Sequence, residues 1–190
     1  MTLSYYRIYY VKVLLQNDGN TIMSFVNEIK FPTELFCDET LQSVLYWLLD
    51  TTIVLYLASN QINDFFLLHG ISSTWSLIQI LMNSFQGEVK QSLEILRIHI
   101  GVLIATYITQ QAPSIDEEIL LNNTEQLKEI SWLEIKRRLL DDLPKDSDDH
   151  VYKLVQICYE LARKSGHKSD MELLYKKAAI NVMSNSFTFG

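Results

Sequence analysis

The chain has 190 residues, 48% of them hydrophobic and 21% charged, which is enough to build a hydrophobic core and excludes intrinsic disorder. The formal net charge is −7 and no basic run is longer than residues 136–138, so no nucleic-acid partner is expected. Two cysteines, Cys37 and Cys158, are too few for a disulfide framework and lack the spacing of a zinc site.

The N-terminus and the apolar segments bear on location. Residues 1–10 lack the basic region, the long apolar run and the cleavage site of a secretory signal. The longest apolar stretches, Leu41–Ala58 and residues 98–108, are interrupted by Asp50 and His99 or fall short of the roughly 20 residues that cross a bilayer. We therefore expect a soluble, cytoplasmic protein with no membrane partner.

Residues 1–30 are the part whose secondary structure the sequence leaves open. Aromatic and β-branched residues are dense between Tyr5 and Val13, which favours a strand. Residues 17–20 read Asn-Asp-Gly-Asn, which is typical of a turn. Because a lone hairpin is marginally stable, a helix or irregular packing against the remaining chain is an equal alternative.

Three long apolar helices are predicted over residues 40–60, 63–85 and 88–111, because their apolar residues recur at helical spacing. The first is apolar on all sides, which is typical of a helix in the middle of a bundle or at an interface. Gly87 is predicted to close the second helix, and Pro113 to enforce the end of the third.

The second half of the chain is more polar and its helices are shorter. Residues 113–130 are predicted to be a connection with a short helical piece. Residues 131–134 read Ser-Trp-Leu-Glu, the pattern of a capping box, and predict a short helix that Pro144 stops.

Two further helices complete the predicted fold. Asp146 or Ser147 is predicted to cap a helix whose apolar stripe spans residues 151–162, and a second capping box at residues 169–172 opens the last helix. The whole pattern predicts an all-α protein, an irregular multi-helix bundle that forms a single domain over residues 1–190.

Three histidines on predicted helices, His69, His99 and His150, are the only candidate constellation for chemistry. His150 points inward from the first turn of its helix, where the helix dipole disfavours an imidazolium, and a neutral imidazole suits proton transfer or carbonyl polarisation. For His99, a hydrogen-bonded core residue is the more common interpretation. For His69 and His150, a functional and a core role are about equally supported.

Several familiar motifs are absent from the sequence. No Gly-x-Gly-x-x-Gly, Walker A or Gly-x-Ser-x-Gly pattern occurs, so a Rossmann domain, a P-loop and an α/β-hydrolase all lack support. No His-x-x-x-His or Glu-x-x-His pair fixes two ligands on one helix face, and we therefore expect no metal.

Two segments carry a resemblance to a known family. Residues 57–73 read LASNQINDFFLLHGISS and residues 148–155 read DDHVYKLV. They resemble the questin oxidase-like family, in which Asp-Phe-x-x-Leu-His-Gly-Val-Thr-Ser is followed by a stretch with Tyr and Pro and then by Asp-x-His-x-x-Lys. Tyr107 and Pro113 fall in that interval, and the resemblance covers roughly residues 38–179.

The resemblance implies a helical oxidoreductase that opens a quinone ring by Baeyer–Villiger oxygen insertion, with NADPH as reductant and a small aromatic or ketone substrate. His69 and His150 would then orient or polarise the carbonyl, and Lys153 would stabilise developing negative charge. Asp148 would hold His150 or Lys153 in place.

Two departures from the family pattern bear on activity. Ser72 stands where the family tends to have Thr, and the family's long N-terminal half has no counterpart, so the chain resembles a C-terminal half. It would then need that half or a second copy to complete its core. The alternative is a non-catalytic helical interaction module, which would expose contiguous apolar surface.

Overall fold

The computed structural model describes residues 3–31, 38–59, 64–84, 88–122, 124–143, 148–166 and 170–184. Within these ranges the chain forms helices and no strand, which confirms the all-α prediction. The helices are α1 (Leu3–Glu28), α2 (Asp38–Ala58), α3 (Phe65–Ser84), α4 (Val89–Thr109), α5 (Glu117–Leu121), α6 (Thr124–Lys128), α7 (Trp132–Asp141), α8 (Asp149–Lys164) and α9 (Asp170–Ser184).

The contacts divide the chain into two compact units. The first consists mainly of Met1–Leu49 and Ser73–Pro113, and contains α1, α4 and parts of α2 and α3. The second consists of Asp50–Ser72 and Ser114–Phe189, and contains α5 to α9 together with the other parts of α2 and α3. The single domain over residues 1–190 stays a prediction.

The N-terminal segment, whose secondary structure the sequence leaves undecided, forms the helix α1. The strand and the turn at residues 17–20 are both wrong, because α1 runs through them without interruption. The physical reason is packing: apolar residues at helical spacing on α1 meet α4, and this tertiary contact overrides the β-propensity of the tyrosines and valines. The α1 residues are Val11, Leu14, Leu15, Ile22, Met23 and Val26, and those on α4 are Ile100, Ile104 and Ala105.

Two residues of α4 adapt it to α1. Gly101 allows the helices to approach closely, because a Cβ there would lie 2.9 Å from the Sδ of Met23. Arg97 donates to the carbonyl of Val26 over 3.0 Å and to that of Ile29 over 3.3 Å. The guanidinium thus binds two carbonyls at the end of α1, of which that of Val26 also accepts from the N–H of Ile29 over 3.1 Å.

The C-terminus of α4 is a Schellman motif formed without glycine. The N–H of Ala112 donates to the carbonyl of Tyr107 over 3.0 Å, and the N–H of Gln111 donates to that of Ile108 over 2.9 Å. Gln111 and Ala112 have φ of 67° and 45°, in the left-handed region that favours glycine. The hydroxyl of Tyr107 also donates to the carbonyl of Pro113 over 2.6 Å, so the tyrosine of the family phrase closes this turn.

The caps in the second unit agree with the sequence in one case and correct it in another. Ser131 Oγ accepts from the N–H of Glu134 over 3.1 Å, as the capping box predicts. The N-cap of α8 is Asp148, so the assignment of that cap to Asp146 or Ser147, which lie outside the described residues, is wrong. The second capping box begins at Ser169, also outside them.

Packing of α8 against α9 forms the main contact between helices of the second unit. The predicted apolar stripe of α8 is buried, and α9 contributes a matching buried face. The stripe consists of Val151, Leu154, Val155, Cys158, Leu161 and Ala162, and the face includes Tyr175, Ala178, Ala179 and Val182.

Three segments, Leu41–Ala58, Phe65–Ser84 and Lys90–Thr109, are long and apolar enough to cross a membrane by length and composition. Asp50 and His99 lie within the first and the third of these segments, but they do not bring them below the length and composition of a span, so the prediction that the apolar stretches cannot cross a bilayer is not supported. Since length and composition do not decide location, the cytoplasmic location stays a prediction.

Candidate active site

The start of α3 is fixed by a buried carboxylate. Asp64 Oδ1 accepts from the N–H of Phe66 over 2.8 Å and from that of Leu67 over 2.9 Å. This cap makes Phe65 the first residue of the helix. His69 follows four residues later, so the two side chains lie on the same face.

The start of α8 places the second histidine in the same way. Asp148 Oδ1 accepts from the N–H of His150 over 2.8 Å and also contacts Nδ1 of its ring. Burial raises the pKa of Asp148, but these hydrogen bonds and the nearby histidines outweigh it and hold that pKa below its usual value. An ionised carboxylate only accepts hydrogen bonds, so Nδ1 of His150 carries the proton of this contact.

The two histidines and Phe65 form a cluster of three rings within the second unit. The ring centroids of His69 and His150 are 4.5 Å apart, with an interplanar angle of 35°. The ring of Phe65 lies 4.1 Å from that of His69 and 5.1 Å from that of His150. We call these three side chains the ring cluster.

His69 is held neutral. Burial is the largest influence that lowers its pKa, the charges of His150 and Lys153 lower it further, and Asp148 opposes them. Its Nδ1 is buried without a hydrogen-bond partner among the described residues. Because a buried N–H without a partner is rarer than an unsatisfied acceptor, the favoured tautomer carries its proton on Nε2.

Lys153 lies one turn after His150 on the exposed side of α8. Its charge lowers the pKa of His69, and its side chain is exposed. The structure thus brings His69, His150 and Asp148 into one site, with Lys153 at its edge.

A comparison with protein families identifies the relatives of the chain. The profile of the questin oxidase-like family matches residues 7–158. The chain belongs to the questin oxidase-like family. At the level of the family it is therefore related to an oxidoreductase. No curated protein and no solved structure is significantly similar to the chain.

The extent of the family match differs from the extent of the motifs. The match begins at residue 7 and takes in α1, whereas the motif resemblance begins near residue 38. It ends at residue 158 within α8, whereas the resemblance was expected to continue to residue 179. Both histidine phrases of this questin oxidase-like chain lie inside the match, so its family assignment includes the ring cluster.

His99, the third histidine of the candidate constellation, lies in the first unit. Its Nε2 is 2.9 Å from Oγ1 of Thr74, a fully buried residue. Burial lowers the pKa of His99. The hydrogen bond to Thr74 agrees with the hydrogen-bonded interpretation that the sequence favours for His99.

The described residues offer little to a metal or to NADPH. No group of three or more His, Cys, Asp or Glu that could hold a metal occurs among them. Arg137 and Arg138 both pair with Glu134, and Lys153 is the lysine whose charge acts on His69. One ammonium is a poor match for the several phosphate charges of NADPH. No residue among the described ones is therefore assigned to NADPH.

Phe65 is the member of the ring cluster that sequence reasoning missed. Aromatic residues on an apolar helix are usually core, and nothing in the composition separates Phe65 from Phe66. The available signal is its spacing of four residues from His69, directly after a capping aspartate.

Proposed function

We propose that the chain is an oxidoreductase that inserts an oxygen atom beside the carbonyl of a quinone or ketone, a Baeyer–Villiger reaction with NADPH as reductant. The observation that supports this proposal is the side-by-side pair of His69 and His150, one ring oriented by Asp148 and the other held neutral. The family supplies the reaction class, and a cytoplasmic location is part of the proposal.

The proposed reaction has a defined set of reactants and products. One ketone, one O₂, one NADPH and one proton give one ester, one NADP⁺ and one water. A carbon–carbon bond next to the carbonyl breaks and a carbon–oxygen bond takes its place. One atom of O₂ enters the ester, and the other leaves as water with the electrons of NADPH, which is supplied from solution.

The proposed roles follow from the protons on the two rings. When the oxygen nucleophile adds to the carbonyl carbon, negative charge builds on the carbonyl oxygen. The Nε2–H of His69 donates to that oxygen, and Lys153 adds a positive charge nearby. Nε2 of His150 takes the proton of the nucleophile as a general base, while Asp148 holds the ring in the required tautomer.

The test is oxygen uptake by the purified chain with NADPH and an anthraquinone as probe. We expect uptake that requires both, and a fall of about 10²–10⁴-fold in kcat for His150→Ala, because a positioned general base contributes that much. His99→Gln is the matched control, since it changes a histidine of the first unit. Normal turnover in His150→Ala would contradict the assignment.

A second candidate, the non-catalytic interaction module, is favoured by exposed apolar side chains in the first unit. Phe25 and Trp47 are 63% and 65% exposed, and only 22% of the segment Lys90–Thr109 is buried. Such side chains are typical of a surface that another copy or another chain covers. Concentration-dependent association in analytical ultracentrifugation, with no oxygen uptake under any condition, would favour this function over the enzyme.

A further inference from the structure

We propose that Phe65 is the positioning residue of the histidine pair: its ring packs on the ring of His69 and against that of His150, and so fixes the two imidazoles side by side. This role deepens the proposed function, on which its catalytic consequence rests. The arrangement of the three rings is the observation behind it.

The geometry makes Phe65 the common neighbour of both histidines. Its ring is tilted 48° to that of His69 at a centroid distance of 4.1 Å, and stands at 70° to the ring of His150 at 5.1 Å. An edge-to-face contact and a close tilted contact leave neither imidazole free to turn without losing aromatic packing. Asp148 contacts the ring of His150, whereas His69 has the ring of Phe65 at 4.1 Å, nearer than the ring of His150 at 4.5 Å.

Phe65 has its own support. The Asp64 cap fixes the backbone at the start of α3, and the ring of Phe66 meets that of Phe65 edge-on at a centroid distance of 5.8 Å. The neighbouring ring therefore limits the rotation of Phe65. The ring cluster is held from α3 by this packing and from α8 by the carboxylate of Asp148.

The contact with Phe65 also bears on the pKa of His69, because it helps to bury the imidazole. The charged or titratable groups that act on His69 are His150, Asp148 and Lys153, all from α8. On the side of α3 the neighbouring ring is apolar. Burial is the largest influence on the pKa of His69 and lowers it, and the ring of Phe65, 4.1 Å away, covers part of the imidazole.

Phe65→Ala tests this role by NMR titration of the histidine rings of the full chain. We expect the His69 pKa to rise toward its ordinary value, because water reaches the ring, and the nuclear Overhauser contact between the His69 and His150 rings to disappear. Phe65→Val is a second truncation that retains more of the apolar packing and should act in the same direction. Phe25→Leu, which changes an exposed phenylalanine of the first unit, is the control and should leave both signals unchanged.

The outcome is independent of enzyme activity. An unchanged His69 titration and an intact ring–ring contact in both truncations would overturn the positioning role, even if the chain consumes oxygen. Conversely, the two Phe65 variants could show the expected NMR changes while the wild-type chain consumes no oxygen. That result would retain the positioning role and remove only the proposed function. Where activity is present, the acid limb of its pH profile should move to higher pH in Phe65→Ala, which a loss of stability alone would not produce.

Discussion

His69 and His150, to which the family resemblance gives a shared role, follow the starts of two helices. An aspartate caps each of these helix starts. Asp64 caps α3 and Asp148 caps α8, and each cap sets the angular position of the histidine that follows it. The sequence contains both phrases, so His69, His150 and Asp148 could be predicted from it. It could not decide whether Asp148 holds His150 or Lys153, because that depends on a side-chain rotamer, and the structure shows the contact to His150.

The ring cluster was only partly predictable because the sequence does not show which faces of two distant helices meet. Phe65 and Phe66 are adjacent and chemically identical, yet Phe65 is the one whose ring packs on His69. They precede His69 by four and three residues, and since both spacings make helical neighbours, the sequence alone does not choose between them.

Buried histidines make stability depend on pH. Burial lowers the pKa values of His69 and His99 below the ordinary value of 6.5. The unfolded chain therefore binds these protons more readily than the folded chain. Their contribution to stability is fully present above about pH 6.5 and is lost as the pH falls toward the lower folded values.

Urea denaturation at about pH 7.5 and about pH 5.5 checks this expectation, since the two values bracket the ordinary histidine pKa. We expect the free energy of unfolding to fall at the lower pH, and to fall less in the double variant His69→Gln, His99→Gln. The other histidines are common to both proteins, so the difference isolates these two. An equal fall in both would show that burial of the two rings has no such effect.

At the scale of elements, the helices that carry strong apolar periodicity were predicted to within a few residues. The helix predicted over residues 88–111 is α4, Val89–Thr109, and that predicted over residues 63–85 is α3, Phe65–Ser84. The secondary structure of α1 could not be decided from the sequence, because its residues have strand propensity and its helical face depends on packing against α4. Such contacts between distant segments are the information that local pattern does not contain.

The Schellman motif after α4 places a glutamine where glycine is preferred. Gln111 has φ of 67°, and its Cβ carries a steric cost there that glycine avoids. We expect Gln111→Gly to raise the free energy of unfolding by about 0.5–1 kcal/mol, although glycine also costs more entropy on folding. Urea denaturation measures the change.

Gly166 provides the matched control for that substitution. It has φ of 69°, and a Cβ built on it would meet nothing within 4 Å, so backbone strain is the only structural cost of Gly166→Ala. We expect a loss of about 1 kcal/mol. If Gln111→Gly lowers stability while Gly166→Ala does not, the left-handed geometry of one or both turns is wrong.

On the scale of the whole molecule, the two compact units carry different features. The ring cluster belongs entirely to the second unit, whereas the most weakly buried apolar segment, Lys90–Thr109, belongs to the first. The division into two units was not predictable from the sequence. The unit boundaries fall within α2 and α3, and the sequence pattern predicts each of these as one continuous helix. The family, by contrast, could be predicted from two short phrases, since they contain the residues of the site.

The central claim is that this chain transfers one atom of O₂ to a carbonyl substrate, and isotope labelling tests it most directly. The purified chain would be incubated with NADPH, an anthraquinone and ¹⁸O₂, and the product analysed by mass spectrometry. We predict one heavy oxygen atom per product molecule, absent when His150→Ala replaces the wild type. A product without the heavy atom, whose new oxygen then comes from water, would contradict oxygen insertion at the ring cluster.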